Sequence, residues 1–171
     1  MDLLDRFLGH DQWTTTRVLE LSRGLTDEQL DQEFDIGHRT LRATFDHMIF
    51  NVGAWTAQMN GQPVDHDRDA SSIDVLLQRH RRTYAAFEET ARRLVAEGRL
   101  DETFRDHHDF PQSYGATIVN VIWHNGMHRS EALHILQRLG VPDLPDGDPQ
   151  EWEHLTGRIA ETAERYALRA S

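Results

Sequence analysis

Apolar residues recur along this chain at the three-to-four-residue spacing of amphipathic helices, and almost nowhere with the alternation of a strand. Leu4, Phe7, Leu8, Val18, Leu19 and Leu21 form a first run, which Gly24 ends. Leu41, Phe45, Met48, Val52, Trp55 and Met59 form a second, halted by Gly61 and Pro63. A third opens at Ser71-Ser72, with Asp74 as the capping-box acid, and carries Ile73, Leu76, Leu77, Tyr84, Phe87 and Leu94 before Gly98. A fourth runs from about Ala116 to Leu139 and is closed by Gly140 and Pro142. Asp148 followed by Pro149 is an N-cap with proline at the first helical position. It predicts a C-terminal helix over about 149–169, with Trp152, Leu155, Ile159, Ala163 and Tyr166 on one stripe.

The pattern is that of an all-α protein, a four-helix bundle with an additional C-terminal helix. Residues 103–110, TFRDHHDF, have room for one short extended piece. The connections over 23–39, 61–70 and 98–114 are long for a simple up-down bundle. They leave room for a crossover and for loops that roof one end, where Phe104, Phe110 and Tyr114 would supply apolar walls to a pocket.

Composition narrows the function. A chain of 171 residues, 38% of them hydrophobic, suits a single domain over 1–171 with its core within 2–141. The formal charge of −11 argues against nucleic acid or an anionic membrane as a main partner, because both demand basic patches. The opening MDLLDRFLGHDQW lacks the basic and apolar segments of a signal peptide, and no run approaches membrane-spanning length, so a cytoplasmic protein is expected. All 18 basic residues are arginine, the bias of a GC-rich coding sequence. With no cysteine, any transition-metal site has to be built from imidazole and carboxylate.

One pair of histidines stands out. His124 and His128 are four residues apart on the fourth helical run. At about 100° per residue, His128 falls within the apolar face and His124 along its edge. Imidazoles one turn apart on a helix can reach a single ion. Spacing alone leaves two readings open, a metal site or core histidines hydrogen-bonded to neighbours. The zincin motif does not apply, since the residue after His124 is Asn125 and not the glutamate that serves as its base.

Three passages carry a family resemblance: HDQWTTTRVLELSRGLTDEQL at 10–30, TLRATFDHMIFNVGAWTAQMNG at 40–61 and TIVNVIWHNGMHRSEALHILQRLGV at 117–141. Together they resemble the DinB family, also called DinB/YfiT-like. The family's signature is a histidine on the second helix plus an HxxxH pair on the last core helix, the second histidine often followed by arginine. His47, His124 and His128 with Arg129 occupy those positions. The resemblance implies a four-helix bundle with a long crossover, a divalent metal (Zn, Ni, Mn or Fe) held by the three imidazoles, and a homodimer.

Ser130-Glu131 stands where relatives commonly carry glycine-glutamine. Glu131 would orient an imidazole, accept a proton or simply be a solvated acid. Asn51, one turn after His47, has the same standing, and Arg129 adjoins His128. The adjacent His107 and His108 read as exposed loop residues.

Three imidazoles leave a position on the ion for a small-molecule substrate. That position can take water for hydrolysis or a thiol for transfer. The resemblance covers both uses: some relatives resemble metal-dependent hydrolases, and others transfer a low-molecular-weight thiol such as bacillithiol or mycothiol to electrophiles. The alternative is a non-catalytic metal- or small-molecule-binding, stress-associated helical-bundle dimer.

Overall fold

Each long helix begins where a side chain can satisfy its free amide groups. In the computed structural model, which describes residues 1–66 and 68–159, α1 (Leu3–Leu21) opens with a reciprocal box between Asp2 and Asp5. Thr40 accepts from the Ala43 amide at the start of α3 (Leu41–Met59) and Ser72 from the Val75 amide at the start of α4 (Ile73–Ala96). Ser113 does the same for Ala116 in α5 (Tyr114–Arg138). Each such cap is worth about 1 kcal/mol. Asp74 is not the capping acid expected of it. It lies one position too early to reach the cap, and instead accepts from Arg23 Nε at 2.9 Å. A one-turn α2 (Asp27–Leu30) lies in the connection from α1 to α3.

The four long helices form a ring in which α1 and α3 are diagonal to each other, as are α4 and α5. Asp5 with Arg92 at one end and Arg23 with Asp74 at the other make α1 and α4 antiparallel. Asp46 with Arg79 and Asn60 with Thr90 make α3 and α4 parallel. Parallel neighbours need a crossover, and residues 60–66 and 68–72 run back along α3. On the way Arg68 pairs with Asp46, and the Ala70 carbonyl accepts from Arg42 at 2.9 Å.

The interior holds two apolar clusters. One, around Leu19, Phe34, Leu41, Phe45, Leu76 and Ile135, lies at the end where α3 and α4 begin. The other, around Leu8, Val52, Tyr84, Phe87, Leu94 and Ile118, fills the opposite end. Between them α1 and α5 share a buried polar layer. Arg129 forms an ion pair with Asp11 and bonds Thr15 Oγ1 at 3.2 Å, and Asn125 Nδ2 donates to Asp11 Oδ2 at 2.9 Å.

The extended piece anticipated near 103–110 is an antiparallel hairpin of β1 (Thr103–Arg105) and β2 (Pro111–Ser113). Within the described residues, the predicted C-terminal helix is interrupted at Thr156. α6 spans Pro149–Leu155 and ends where the Thr156 hydroxyl donates to the Trp152 carbonyl at 2.6 Å and Gly157 takes a φ of +69°. Trp152 is buried against Gly9, where a Cβ would come within 2.6 Å of its ring, while Leu155 and Ile159 are exposed. Ala163 and Tyr166 lie outside the described residues. Among the described residues, no helix is long and apolar enough to cross a membrane.

Candidate metal centre

α3 and α5 run antiparallel side by side, so a residue early in α3 meets one past the middle of α5. That geometry brings together the histidines singled out in the sequence. His47 Nε2 lies 3.2 Å from His124 Nε2, and His124 Nε2 lies 3.2 Å from His128 Nε2. His128 is buried, and His47 and His124 are half-buried, at the level between the two apolar clusters.

These separations suit a shared cation. Nitrogens bound at about 2.0–2.1 Å to one ion stand about 2.8–3.4 Å apart, from neighbouring octahedral to tetrahedral positions. The hydrogen-bond count points the same way. A ring nitrogen carries either one hydrogen or one in-plane lone pair, so His124 Nε2 can serve one of its two imidazole neighbours but not both. A cation facing the three nitrogens satisfies all of them at once.

The outer nitrogens decide which tautomer each ring adopts. His128 Nδ1 is 2.7 Å from Glu131 Oε2, so an Nδ1–H donated to that carboxylate leaves the Nε2 lone pair facing His124. Asn51 Nδ2 lies 3.1 Å from His124 Nδ1, and amide nitrogen and oxygen are interchangeable by a flip of the group. Turned to present Oδ1, it accepts from Nδ1–H and frees His124 Nε2 in the same way.

Two of the rings, those of His47 and His124, are also kept neutral. Burial, followed by the nearby His38, His128 and His124, pushes the His47 pKa down to about 4. Burial and then His128 do the same to His124, also to about 4. Neutral imidazole is the ligating form, so the site holds its lone pairs ready across the physiological range.

Arg129, although adjacent to His128, turns the other way into the polar layer with Asp11 and does not support the imidazoles. Consecutive residues on a helix face directions about 100° apart, and here that rotation separates the two. The loop over 98–114 does not roof the histidines either. Its hairpin caps the opposite end of α3, where the His107 amide donates to Gln58 at 2.9 Å, and Tyr114 is ten residues, or about 15 Å of helix, from His124. There Phe104 stacks on Tyr114, and Phe110 is exposed. His107 and His108 lie exposed in the hairpin's connection. His10 and His80 are buried, but each meets a backbone carbonyl, of Gly147 and Gln12, and so belongs to the core.

The structure adds a fourth imidazole that the sequence pattern did not single out. The His38 ring sits 3.9 Å from that of His47 and 5.0 Å from that of His128, centre to centre. Ligand nitrogens of His38, His47 and His128 all lie within 4.8 Å of one another. Among the described residues that group is completed by His38, from the connection before α3, while His124 on α5 adjoins it through its 3.2 Å contacts with His47 and His128. His38 has no helical partner at i±4, so periodicity carries no signal for it.

A profile of the DinB superfamily matches residues 10–132. The crystal structure of a DinB-like protein from Bacillus cereus ATCC 10987 has 22% sequence identity and a TM-score of 0.62, with 80% of this chain and 89% of that chain covered. At that identity the likeness is one of fold. No curated protein matches the chain.

Proposed function

The chain belongs to the DinB superfamily, and from that premise we propose a divalent-metal-dependent enzyme acting on a small molecule, by thiol S-transfer or by hydrolysis. The observation that carries this reading is that His124 Nε2 lies 3.2 Å from both His47 Nε2 and His128 Nε2. Three neutral nitrogen donors suit Zn, Ni, Mn or Fe and leave room for a further ligand. An ion held there supplies Lewis acidity to whatever small molecule shares it.

The chain's own groups have definable parts. Glu131 holds His128 in the tautomer that presents Nε2, and Asn51 holds the plane of the His124 ring. Glu131 is partly exposed, so it can also exchange a proton with a molecule arriving at the site. With no cysteine in the sequence, a sulfur nucleophile has to arrive as a low-molecular-weight thiol. A homodimer belongs to the same reading, and light scattering at the mass of two chains, not one, checks it.

A second reading, a non-catalytic metal-binding bundle, is favoured by one feature: the His38 ring packs 3.9 Å from the His47 ring and takes up space beside the candidate centre. Elemental analysis of purified protein comes first, with one divalent ion per chain expected and loss of that ion in His128→Ala. A screen of bacillithiol- and mycothiol-type thiols against electrophiles, alongside ester and amide substrates, then separates the readings. Turnover that disappears with the ion supports the enzyme, and full metal occupancy in His128→Ala overturns the assignment.

A further inference from the structure

His38 lies in a tightly built turn. The Phe34 amide donates to the Arg39 carbonyl at 2.8 Å and the Arg39 amide to the Ile36 carbonyl at 2.8 Å, closing residues 34–39 on themselves. Gly37 and Arg39 both take left-handed conformations, with φ of +46° and +70°. Phe34 is buried in the core, and the Arg138 guanidinium lies 4.6 Å from its ring centre, so the turn is tied to the end of α5.

The seat of the turn is Glu131. A Cβ at position 37 would fall 2.1 Å from Glu131 Oε2, so any other residue would push the carboxylate aside, and the φ of +46° also favours glycine. The same carboxylate bonds His128 Nδ1. One side chain therefore orients an imidazole from α5 and positions the turn that delivers an imidazole from the opposite side.

We infer that His38 is a fourth ligand of the metal, capping the centre formed by His47, His124 and His128. The inference rests on the metal-site reading above and deepens it. His47 and His128 present nitrogens to both His124 and His38, so an ion between them meets donors from α3, from α5 and from the turn. His38 is the one donor of the four that is not on a helix. A displacement of the 34–39 turn would withdraw it and open a coordination position without disturbing the other three.

The test compares wild-type protein with His38→Ala, using Co²⁺ and Zn²⁺ as probes. Co²⁺ titration followed by visible absorption reports stoichiometry and coordination, and competition with a chromophoric chelator gives Zn²⁺ affinity. We expect one Co²⁺ per chain in both proteins, an altered d–d spectrum in His38→Ala, and Zn²⁺ affinity lowered about tenfold or more, since loss of a group that only orients a ligand already costs about 10- to 100-fold. Added imidazole should restore the wild-type spectrum in the variant. Complete loss of binding with an unchanged metal-free melting temperature would also support the ligand role. An unchanged spectrum and affinity in His38→Ala would overturn it and reduce His38 to a packing residue, with the metal reading intact. Wild-type protein that takes up neither ion would overturn the metal reading itself.

Discussion

The Glu131 carboxylate stands 2.7 Å from His128 Nδ1, one helical turn away on α5, and is the hydrogen-bonding partner of the most deeply buried imidazole in the cluster. Removing it leaves His128 free to adopt the tautomer that points a hydrogen at the other histidines. In Glu131→Ala, metal affinity should therefore fall about 10- to 100-fold, with metal still bound at one ion per chain. Chelator competition measures this, and an affinity equal to wild type would show that Glu131 is only a solvated acid.

Acid should destabilise the metal-free protein over a defined window. His47 and His124 have folded-state pKa values near 4, below the ordinary value of 6.5, because burial and neighbouring histidines disfavour their charged forms. Between these values the unfolded chain binds more protons, so stability rises with pH. The contribution is complete above about 6.5 and is lost as the pH falls toward about 4. Buried His10 and His80, whose pKa values burial also lowers, act in the same direction. Urea midpoints should decline from pH 7 to pH 4.5, with a shallower decline in the double variant His47→Ala, His124→Ala. Identical slopes in the two proteins would remove these histidines from the account.

The polar layer makes a separate prediction. Asp11 is fully buried and is paired with Arg129, itself almost fully buried. Asp11→Ala strands the guanidinium and takes away a partner of Asn125, whose Oδ1 already has none. A loss of about 3–5 kcal/mol is expected by chemical denaturation. Replacing both members of the pair with apolar residues of similar volume should cost much less than removing either one. A single-variant loss below about 1 kcal/mol, as for an exposed pair, would contradict the burial argument.

Trp152 should anchor α6 to the bundle. It is 1% exposed and its ring lies directly on Gly9 of α1. Trp152→Ala should destabilise by about 3–5 kcal/mol, and Gly9→Ala should also destabilise, because its Cβ would meet the ring at 2.6 Å. Trp152 meets His10 edge-on but neither change touches His38, His47, His124 or His128, so metal stoichiometry should stay at one per chain. Thermal melts combined with metal analysis check both points, and a Trp152→Ala protein as stable as wild type would mean that α6 is not docked in solution.

The helices and the HxxxH pair were legible in the sequence because both depend on local periodicity. Val52 and Ile118 occupy apolar faces set by the 3.6-residue repeat, and His124 and His128 share a face for the same reason. His47 could be joined to that pair only through a family pattern, since 77 residues of chain separate it from His124 and spacing cannot bridge them. What the tertiary structure decided depends on how elements are stacked. The parallel run of α3 and α4 sends the chain back along the bundle through residues 68–72, and the antiparallel run of α3 and α5 sets His47 against His124. Arg129 faces Asp11 because α1 lies on that side of α5. His38 joins the cluster because the 34–39 turn closes against Glu131, where the glycine at position 37 leaves the carboxylate in place. A helix imposes a period that can be read from one stretch of chain, whereas a turn is positioned by contacts with residues far along it.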